Sequence, residues 1–219
     1  MALGTCPQRH QECSQADLER WNTPPNWITL TRTLAAVVLA LASAPTGSLT
    51  LLLVATGVYW IGDMADGAVA RMLRKETRTG AVLDIVCDRI CAAAIYVGLV
   101  WLMPEMWIPI AVYLISFSVL DLMLSLSFLL FPLSSPNYFA LVDPMLYRLN
   151  WSRVAKGLNS ALFLAVVILS ESATAAGVIA VALMIVKIIS LRLLSQVQVE
   201  PVGECAHELR QQHQGVGPP

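Results

Sequence analysis

The chain has 219 residues and a formal net charge of −1; 57% of its residues are hydrophobic and 13% are charged. Soluble domains carry about 25% charged residues, so this composition excludes an ordinary soluble domain and predicts an integral membrane protein. The distribution of charge gives no sign of a nucleic-acid partner.

The amino-terminal stretch is polar. Residues 1–27 contain no apolar run of the length that a signal peptide needs, so none is expected. Within them "SQADLERW" opens with Ser14 and has Asp17 three residues later, a pattern that begins short helices. We expect residues 1–21 to form a cytoplasmic or interfacial segment with a short helix on the membrane surface, ended by "NTPPN".

Six apolar segments follow, each close to the roughly 20 residues that a helix needs to cross a bilayer. They run over Ile28–Ala44, Leu49–Gly67, Ala81–Met103, Trp107–Phe131, Val154–Leu169 and Ala175–Leu194. We expect an all-α integral membrane protein with six transmembrane helices. Its membrane domain would cover residues 22–198, followed by a disordered cytoplasmic tail over residues 199–219.

Basic residues in the connections all fall on one side of this bundle. The connections between segments 1 and 2, 3 and 4, and 5 and 6 contain no Lys or Arg. The other connections and the end of the chain carry Arg71, Arg74, Lys75, Arg78, Arg148, Arg153, Lys156, Arg192 and Arg210. The positive-inside rule therefore predicts that both termini are cytoplasmic, in the cytoplasmic membrane.

The five cysteines are scattered and odd in number, which does not predict a disulfide framework. Cys87 and Cys91 lie one helical turn apart in an apolar segment, as small core residues do. We expect no metal site in the polar tails, where no paired zinc motif accompanies Cys6, His10 and Cys13 or Cys205, His207 and His213.

Four aspartates lie in or against the second and third segments, in "GDMADGAVARMLRKETRTGAVLDIVCDR" (residues 62–89). Helical residues advance by about 100° each, so the second segment presents one face that carries Asp63, Asp66, Gly67, Ala70 and Arg71. The third segment carries a matching stripe at a spacing of four, formed by Gly80, Asp84 and Asp88. The short connection allows the two stripes to face each other.

Such a cluster predicts a metal site. Four carboxylates in a low-dielectric setting cannot all stay ionised unless cations bind, and hard oxygen ligands favour Mg²⁺ or Mn²⁺. Two ions about 3.5–4 Å apart would support phosphoryl chemistry. Gly67 and Gly80 would leave room for a ligand at the backbone, and Arg71 offers a guanidinium to a phosphate.

The pattern D-x2-D-G-x2-A-R-x8-G-x3-D-x3-D resembles the signature of the CDP-alcohol phosphotransferase (CDP-alcohol phosphatidyltransferase) family at all eight fixed positions. The preceding "PNWITLTR" (residues 25–32) resembles the PNxxTxxR segment of many members. The resemblance extends from Pro25 to about Leu194, with motif support over Pro25–Arg89.

This resemblance implies a membrane enzyme, usually dimeric, that transfers a phosphatidyl group from CDP-diacylglycerol to an alcohol acceptor and releases CMP. The implied metal ligands are Asp63, Asp66, Asp84 and Asp88, and Asp88 would also be the general base. The implied nucleotide site comprises Asn26, Thr29, Asp66, Gly67, Ala70, Arg71 and Gly80. The implied partners are the two substrates, membrane lipids and a second copy of the chain, in a homodimer.

The acceptor is less clearly indicated. Candidates for its phosphate are Arg148, Arg153, Lys156 and Lys187, although these residues also fit topology or lipid-head binding. "AKGLNSA" (residues 155–161) is loosely similar to segments of phosphatidylglycerophosphate synthases and of cardiolipin synthases. "GAVLDIVCDRI" is similar to actinobacterial phosphatidylinositol-phosphate synthases, but their basic RPER-type segment is missing. We expect glycerol 3-phosphate, with phosphatidylglycerol or an inositol phosphate as alternatives.

Two interpretations from other classes compete with an enzyme. Asp121 in the fourth segment is interpreted as a polar packing contact. In a purely structural, inactive homologue the four-aspartate cluster would also serve only for packing. A divalent-cation transporter would also place aspartates in its spans. Its path needs polar residues through the outer halves of several spans, and these halves are apolar.

The topology can be tested by labelling. In a background with Cys6 and Cys205 replaced by serine, a cysteine at Arg74 should react with a membrane-impermeant maleimide in inside-out vesicles and not in intact cells. Thr46→Cys, in a connection without basic residues, should give the opposite result. Labelling of Arg74→Cys only from the outer side would contradict the predicted orientation.

Overall fold

The computed structural model describes residue 10, residues 12–13 and residues 19–197. Within this part of the chain six helices are long and apolar enough to cross a membrane. They are α1 (Pro24–Thr46), α2 (Leu49–Met72), α3 (Arg78–Leu102), α4 (Pro104–Leu130), α5 (Pro144–Ser170) and α6 (Ala173–Leu194). The predicted all-α class with six long apolar helices is confirmed. Most of the predicted interfacial helix and the whole tail over residues 199–219 lie outside the described residues.

The first helix begins four residues before its predicted start. Pro24 and Pro25 open α1 instead of ending the preceding segment, and the Thr23 side chain accepts a hydrogen bond from the backbone N–H of Asn26. Proline fits the first helical turn because that turn does not use its missing N–H. This start places Asn26 and Thr29 on α1 itself, among its buried residues.

The fifth helix differs most from its prediction. It opens with a short helix over Pro144–Asn150, which Asp143 caps by accepting a hydrogen bond from the Leu146 N–H at 2.8 Å. After a turn at residues 151 and 152 the helix resumes at Arg153, one residue before the predicted Val154, with Ser152 as its cap. The basic residues Arg148, Arg153 and Lys156 therefore belong to α5, where we had placed them in the 4–5 connection.

Both α4 and α5 contain a π-helical turn. The turn in α4 covers Ser116–Asp121, and the turn in α5 covers Leu158–Leu162. A π turn inserts one residue into the helical repeat and so rotates the side chains that follow it. Each turn lies between ordinary α-helical segments of its helix.

The bundle consists of two sets of helices. In one set α1 packs against both α2 and α3, and in the other α6 packs against α4 and α5. Aromatic rings of Tyr96, Tyr113 and Phe163 join α3, α4 and α5; the ring centroids of Tyr113 and Phe163 lie 4.3 Å apart and nearly parallel. Cys87 and Cys91 are buried, as predicted for core residues. The outer surface of the helices is apolar, with Leu169 83% exposed, which suits contact with lipid.

Hydrogen bonds around the start of α3 join it to the segment that contains Glu19 and to the connection between α4 and α5. The Glu19 carboxylate accepts hydrogen bonds from the backbone N–H groups of Arg78 and Thr79 at 2.8 and 2.9 Å, and Arg78 Nε donates to the Leu133 carbonyl at 2.9 Å. Tyr138 Oη donates to Glu76 at 2.6 Å, and burial together with this hydrogen bond raises the pKa of the phenol. The connection between α4 and α5 is thereby held at the mouth of the cavity described below.

Close packing of α3 against α1 and α2 requires a glycine at position 98. A Cβ there would lie 2.9 Å from both the Ala40 carbonyl oxygen and Leu52 Cδ1. We expect Gly98→Ala to lower the free energy of unfolding by about 1–3 kcal/mol, measured as a lower melting temperature in detergent. Gly57→Ala is the matched control, because nothing lies within 4 Å of its added Cβ. Equal melting temperatures of Gly98→Ala and the wild type would contradict this packing.

Candidate active site

A cavity of about 220 Å³ opens between the helices. All eight signature positions line it: Asp63, Asp66, Gly67, Ala70 and Arg71 from α2, and Gly80, Asp84 and Asp88 from α3. Asn26 and Thr29 of α1 line it as well. The helical faces predicted from the spacing are therefore brought together as expected.

Three of the four aspartates form a tight cluster. One carboxylate oxygen from each of Asp63, Asp66 and Asp84 lies within 4.8 Å of the others. Asp66 is buried and accepts a hydrogen bond from Thr29 Oγ1 at 2.7 Å, so α1 fixes its orientation. Asp88 follows one turn after Asp84 and also lines the cavity, outside this trio.

Arg32 of α1 contacts all four aspartates. Its Nε donates to Asp66 at 2.9 Å, and its Nη2 lies 3.2 Å from Asp88, 3.5 Å from Asp63 and in a hydrogen bond with Asp84. The residue is only 5% exposed. This shared guanidinium supplies the counter-charge that the buried Asp66 carboxylate requires, and it also pairs with the three partly exposed aspartates.

Gly62 makes the position of Arg32 possible. A Cβ at residue 62 would lie 2.6 Å from the Arg32 side chain, so α2 leaves space there for the arginine of α1. Neither residue had a role predicted from the sequence. The sequence nevertheless contains a clue to the role of Arg32. An arginine inside an apolar span implies an acidic partner, and four aspartates follow in the next two helices.

The donor set fits a divalent cation. If the four aspartates are all ionised, they and the Arg32 guanidinium together carry a net charge of −3. The donor atoms are carboxylate oxygens, the kind that Mg²⁺ and Mn²⁺ prefer. Asp63, Asp66 and Asp84 are the residues close enough to share one ion.

The two signature glycines make room for protein side chains. A Cβ at Gly80 would lie 3.0 Å from Asn26 Oδ1, and one at Gly67 would lie 3.3 Å from the Arg71 guanidinium. We had expected this space to admit a ligand directly. In the structure the side chains of Asn26 and Arg71 lie against these positions, and both glycines line the cavity, so access of a ligand to their backbone stays a prediction.

A second charged cluster joins the two sets of helices. Asp121 accepts hydrogen bonds from Arg89 Nη2 and, at 2.7 Å, from Lys187 Nζ, and its carboxylate lies 3.4 Å from Asn159 Nδ2. Lys187 also donates to Asn150 at 2.9 Å and is 3% exposed. Asp121 thus connects α3, α4, α5 and α6, which is more than the simple packing contact that we had predicted.

The structure shows where the four residues predicted to bind the acceptor phosphate lie. Among its four predicted ligands, Lys156 lines the cavity and donates to Asn137 at 2.6 Å. Arg148 and Arg153 are exposed and are not part of the cavity lining. Lys187 does not line the cavity either, because Asp121 and Asn150 hold it in the interior. Of the four predicted residues, Lys156 alone lines the cavity, and binding of the acceptor phosphate stays a prediction for all four.

The role of Arg32 can be tested by its removal. Arg32→Met leaves the aspartates without their shared counter-charge, which should destabilise the protein by about 3–5 kcal/mol and lower its melting temperature in detergent. Added Mn²⁺ should restore part of this loss, since a cation can replace the missing charge. The control Arg74→Met removes an exposed arginine and should leave the melting temperature unchanged. A metal-free Arg32→Met protein as stable as the wild type would contradict this assignment.

Comparison with known proteins agrees with the geometry. A family model described as CDP-alcohol phosphatidyltransferase matches residues 22–189. The chain is 46% identical over 77 residues to the phosphatidylinositol phosphate synthase of Mycobacteroides abscessus and 44% identical over 77 residues to that of Mycolicibacterium smegmatis. It is 40% identical over 84 residues to that of Mycobacterium tuberculosis.

These alignments cover 35–38% of this chain and 35–39% of each relative. No solved structure matches the chain. The relatives are phosphatidylinositol phosphate synthases, whereas we had placed the chain nearest to the phosphatidylglycerophosphate and cardiolipin synthases. Because the family model spans well over half of the sequence, the chain belongs to the CDP-alcohol phosphatidyltransferase family.

Proposed function

We propose that this protein transfers a phosphatidyl group from CDP-diacylglycerol to an inositol phosphate and releases CMP. The observation that carries the reaction class is the convergence of all eight signature residues on one cavity. The choice of acceptor rests on the relatives, which are phosphatidylinositol phosphate synthases and so favour the inositol-phosphate alternative over glycerol 3-phosphate.

The position of the cavity suits a substrate with a lipid part and a water-soluble part. Ile61 and Met64 on the outer surface of α2 are 66% and 64% exposed, and an acyl chain can stay in the bilayer beside them. Arg71 and Lys75 line the cavity and provide positive charge for the diphosphate. The nucleotide then lies between α1, α2 and α3, with the acceptor entering from water.

Asp63, Asp66 and Asp84 would hold the Mg²⁺ or Mn²⁺ that family members need. When bound, such a cation supplies neutralisation of charge on the diphosphate. Arg32 and Thr29 keep the carboxylates oriented by direct hydrogen bonds. A second ion with Asp88 among its ligands is the arrangement that the family resemblance implies.

Asp88 is suited to accept the proton of the acceptor. Its side chain is 19% exposed and lines the cavity, and Arg32 Nη2 lies 3.2 Å from its Oδ1. In the reaction the acceptor hydroxyl oxygen forms a bond to the phosphorus of the phosphatidyl group. The bond from that phosphorus to the CMP oxygen breaks, CMP leaves with the electron pair, and the hydroxyl proton passes to the Asp88 carboxylate.

The proposal is tested by CMP release from CDP-diacylglycerol with Mn²⁺ and the detergent-purified protein. The acceptors compared are myo-inositol 1-phosphate, glycerol 3-phosphate, phosphatidylglycerol and serine. We expect release with inositol 1-phosphate alone, and its loss after chelation. Asp88→Asn should lower the rate by about 10²–10⁴-fold while the melting temperature is kept.

The outcomes separate the parts of this proposal. Release with glycerol 3-phosphate alone would restore the acceptor that the sequence analysis favoured and would contradict inositol phosphate. Full activity after exhaustive chelation would remove the metal role, and a normal rate in Asp88→Asn would remove Asp88 as the base. The homodimer and the cytoplasmic orientation stay predictions from family resemblance and from charge distribution.

A further inference from the structure

Residues 19–23 lead directly into α1, and we call them the pre-helix segment. Two contacts join this segment to the surroundings of the cavity. The Trp21 carbonyl oxygen accepts a hydrogen bond from Asn26 Nδ2 at 2.8 Å, and the Glu19 carboxylate accepts hydrogen bonds at the start of α3. Neither Glu19 nor Trp21 is part of the cavity lining. The segment therefore acts on the cavity only through other residues.

The start of α3 shows what Glu19 contributes. Backbone N–H groups in the first turn of an α-helix have no partner within the helix. The Thr77 hydroxyl caps α3 by accepting from the Gly80 N–H at 3.0 Å. The N–H groups of Arg78 and Thr79 donate instead to the Glu19 carboxylate at 2.8 and 2.9 Å, a position that the helix dipole also favours for an anion. Glu19, 59 residues before Arg78, thus completes the cap of α3.

The end of α3 that Glu19 holds is also the end that lines the cavity. Thr77 and Gly80 line it, and a Cβ added at Gly80 would lie 3.0 Å from Asn26 Oδ1. Asn26 is buried, and the hydrogen bond to the Trp21 carbonyl fixes the orientation of its amide. The pre-helix segment therefore holds both sides of the contact between α1 and α3, in the part of the cavity where the family resemblance places the nucleotide.

From this arrangement we propose that the pre-helix segment positions the nucleotide subsite, with Glu19 as the positioning residue on which nucleotide affinity depends. The inference deepens the proposed function and rests on it. Glu19 acts by keeping the first turn of α3 formed, and so keeps Gly80 in place beside Asn26. Asp84 and Asp88 lie about one and two turns further along α3, where the backbone hydrogen bonds of the helix hold them. Binding of the cation should therefore not depend on Glu19.

Glu19→Gln tests this role with little change in the shape of the side chain. Its amide places an NH₂ group where one carboxylate oxygen accepted a hydrogen bond, so that a donor faces a backbone N–H. Isothermal titration of the detergent-purified protein with CMP in the presence of Mn²⁺ would measure the Kd. We expect Glu19→Gln to bind CMP about tenfold more weakly, since hydrogen bonds to a charged group contribute at least that factor. Mn²⁺ titrated alone should bind as it does to the wild type.

Two controls separate positioning from a general loss of stability. Gly98→Ala disturbs packing near the opposite end of α3, so it should lower the melting temperature and keep the Kd of CMP within about twofold. Glu105→Gln makes the same chemical change at an exposed residue near the start of α4 and should alter neither quantity. An unchanged Kd in Glu19→Gln, or equal losses of CMP affinity in Glu19→Gln and Gly98→Ala, would overturn the inference.

Turnover supplies a second measurement. In CMP release, Glu19→Gln should raise KM for CDP-diacylglycerol about tenfold and leave kcat within about twofold, as expected when ground state and transition state lose the same interaction. A fall in kcat with an unchanged KM would count against positioning. A wild type that binds CMP but releases none from CDP-diacylglycerol would contradict the proposed function alone, because the titration would still decide the role of Glu19. A wild type that binds no CMP would overturn the inference as well.

Discussion

The guanidinium of Arg32 is the contact on which the site depends. Four carboxylates near the membrane interior repel one another and lose solvation, and one buried arginine lies within hydrogen-bond or ion-pair distance of all of them. Since α1 carries this arginine, α1 must pack between α2 and α3. Gly62 provides the space for the side chain. Packing and electrostatics therefore select the same arrangement of three helices.

The second set of helices is attached to the first through another compensated charge. Asp121 of α4 binds Arg89 of α3, the residue after Asp88, and also binds Lys187 of α6. The cavity lies where the two sets meet, with carboxylates from one set and mostly neutral polar groups from the other.

A transfer between a lipid and a water-soluble alcohol needs a site that both can reach. Here the carboxylates sit at the ends of two long apolar helices, beside the basic connection over residues 73–77. In the proposed reaction the donor lipid would remain in the membrane while its headgroup enters, and arginine, lysine and a bound cation would compensate the charge of the diphosphate. The family and the geometry agree on this class of chemistry.

The sequence by itself determined the six spans and the shared faces of the aspartates, because hydrophobic length and helical periodicity are local properties of the chain. It also determined the family, through spacing within one pair of adjacent helices. Only the tertiary structure decided the partners of Arg32, Asp121 and Lys187. Those contacts join residues far apart in the chain, and which helical faces meet depends on the packing of the whole bundle, which no local spacing encodes.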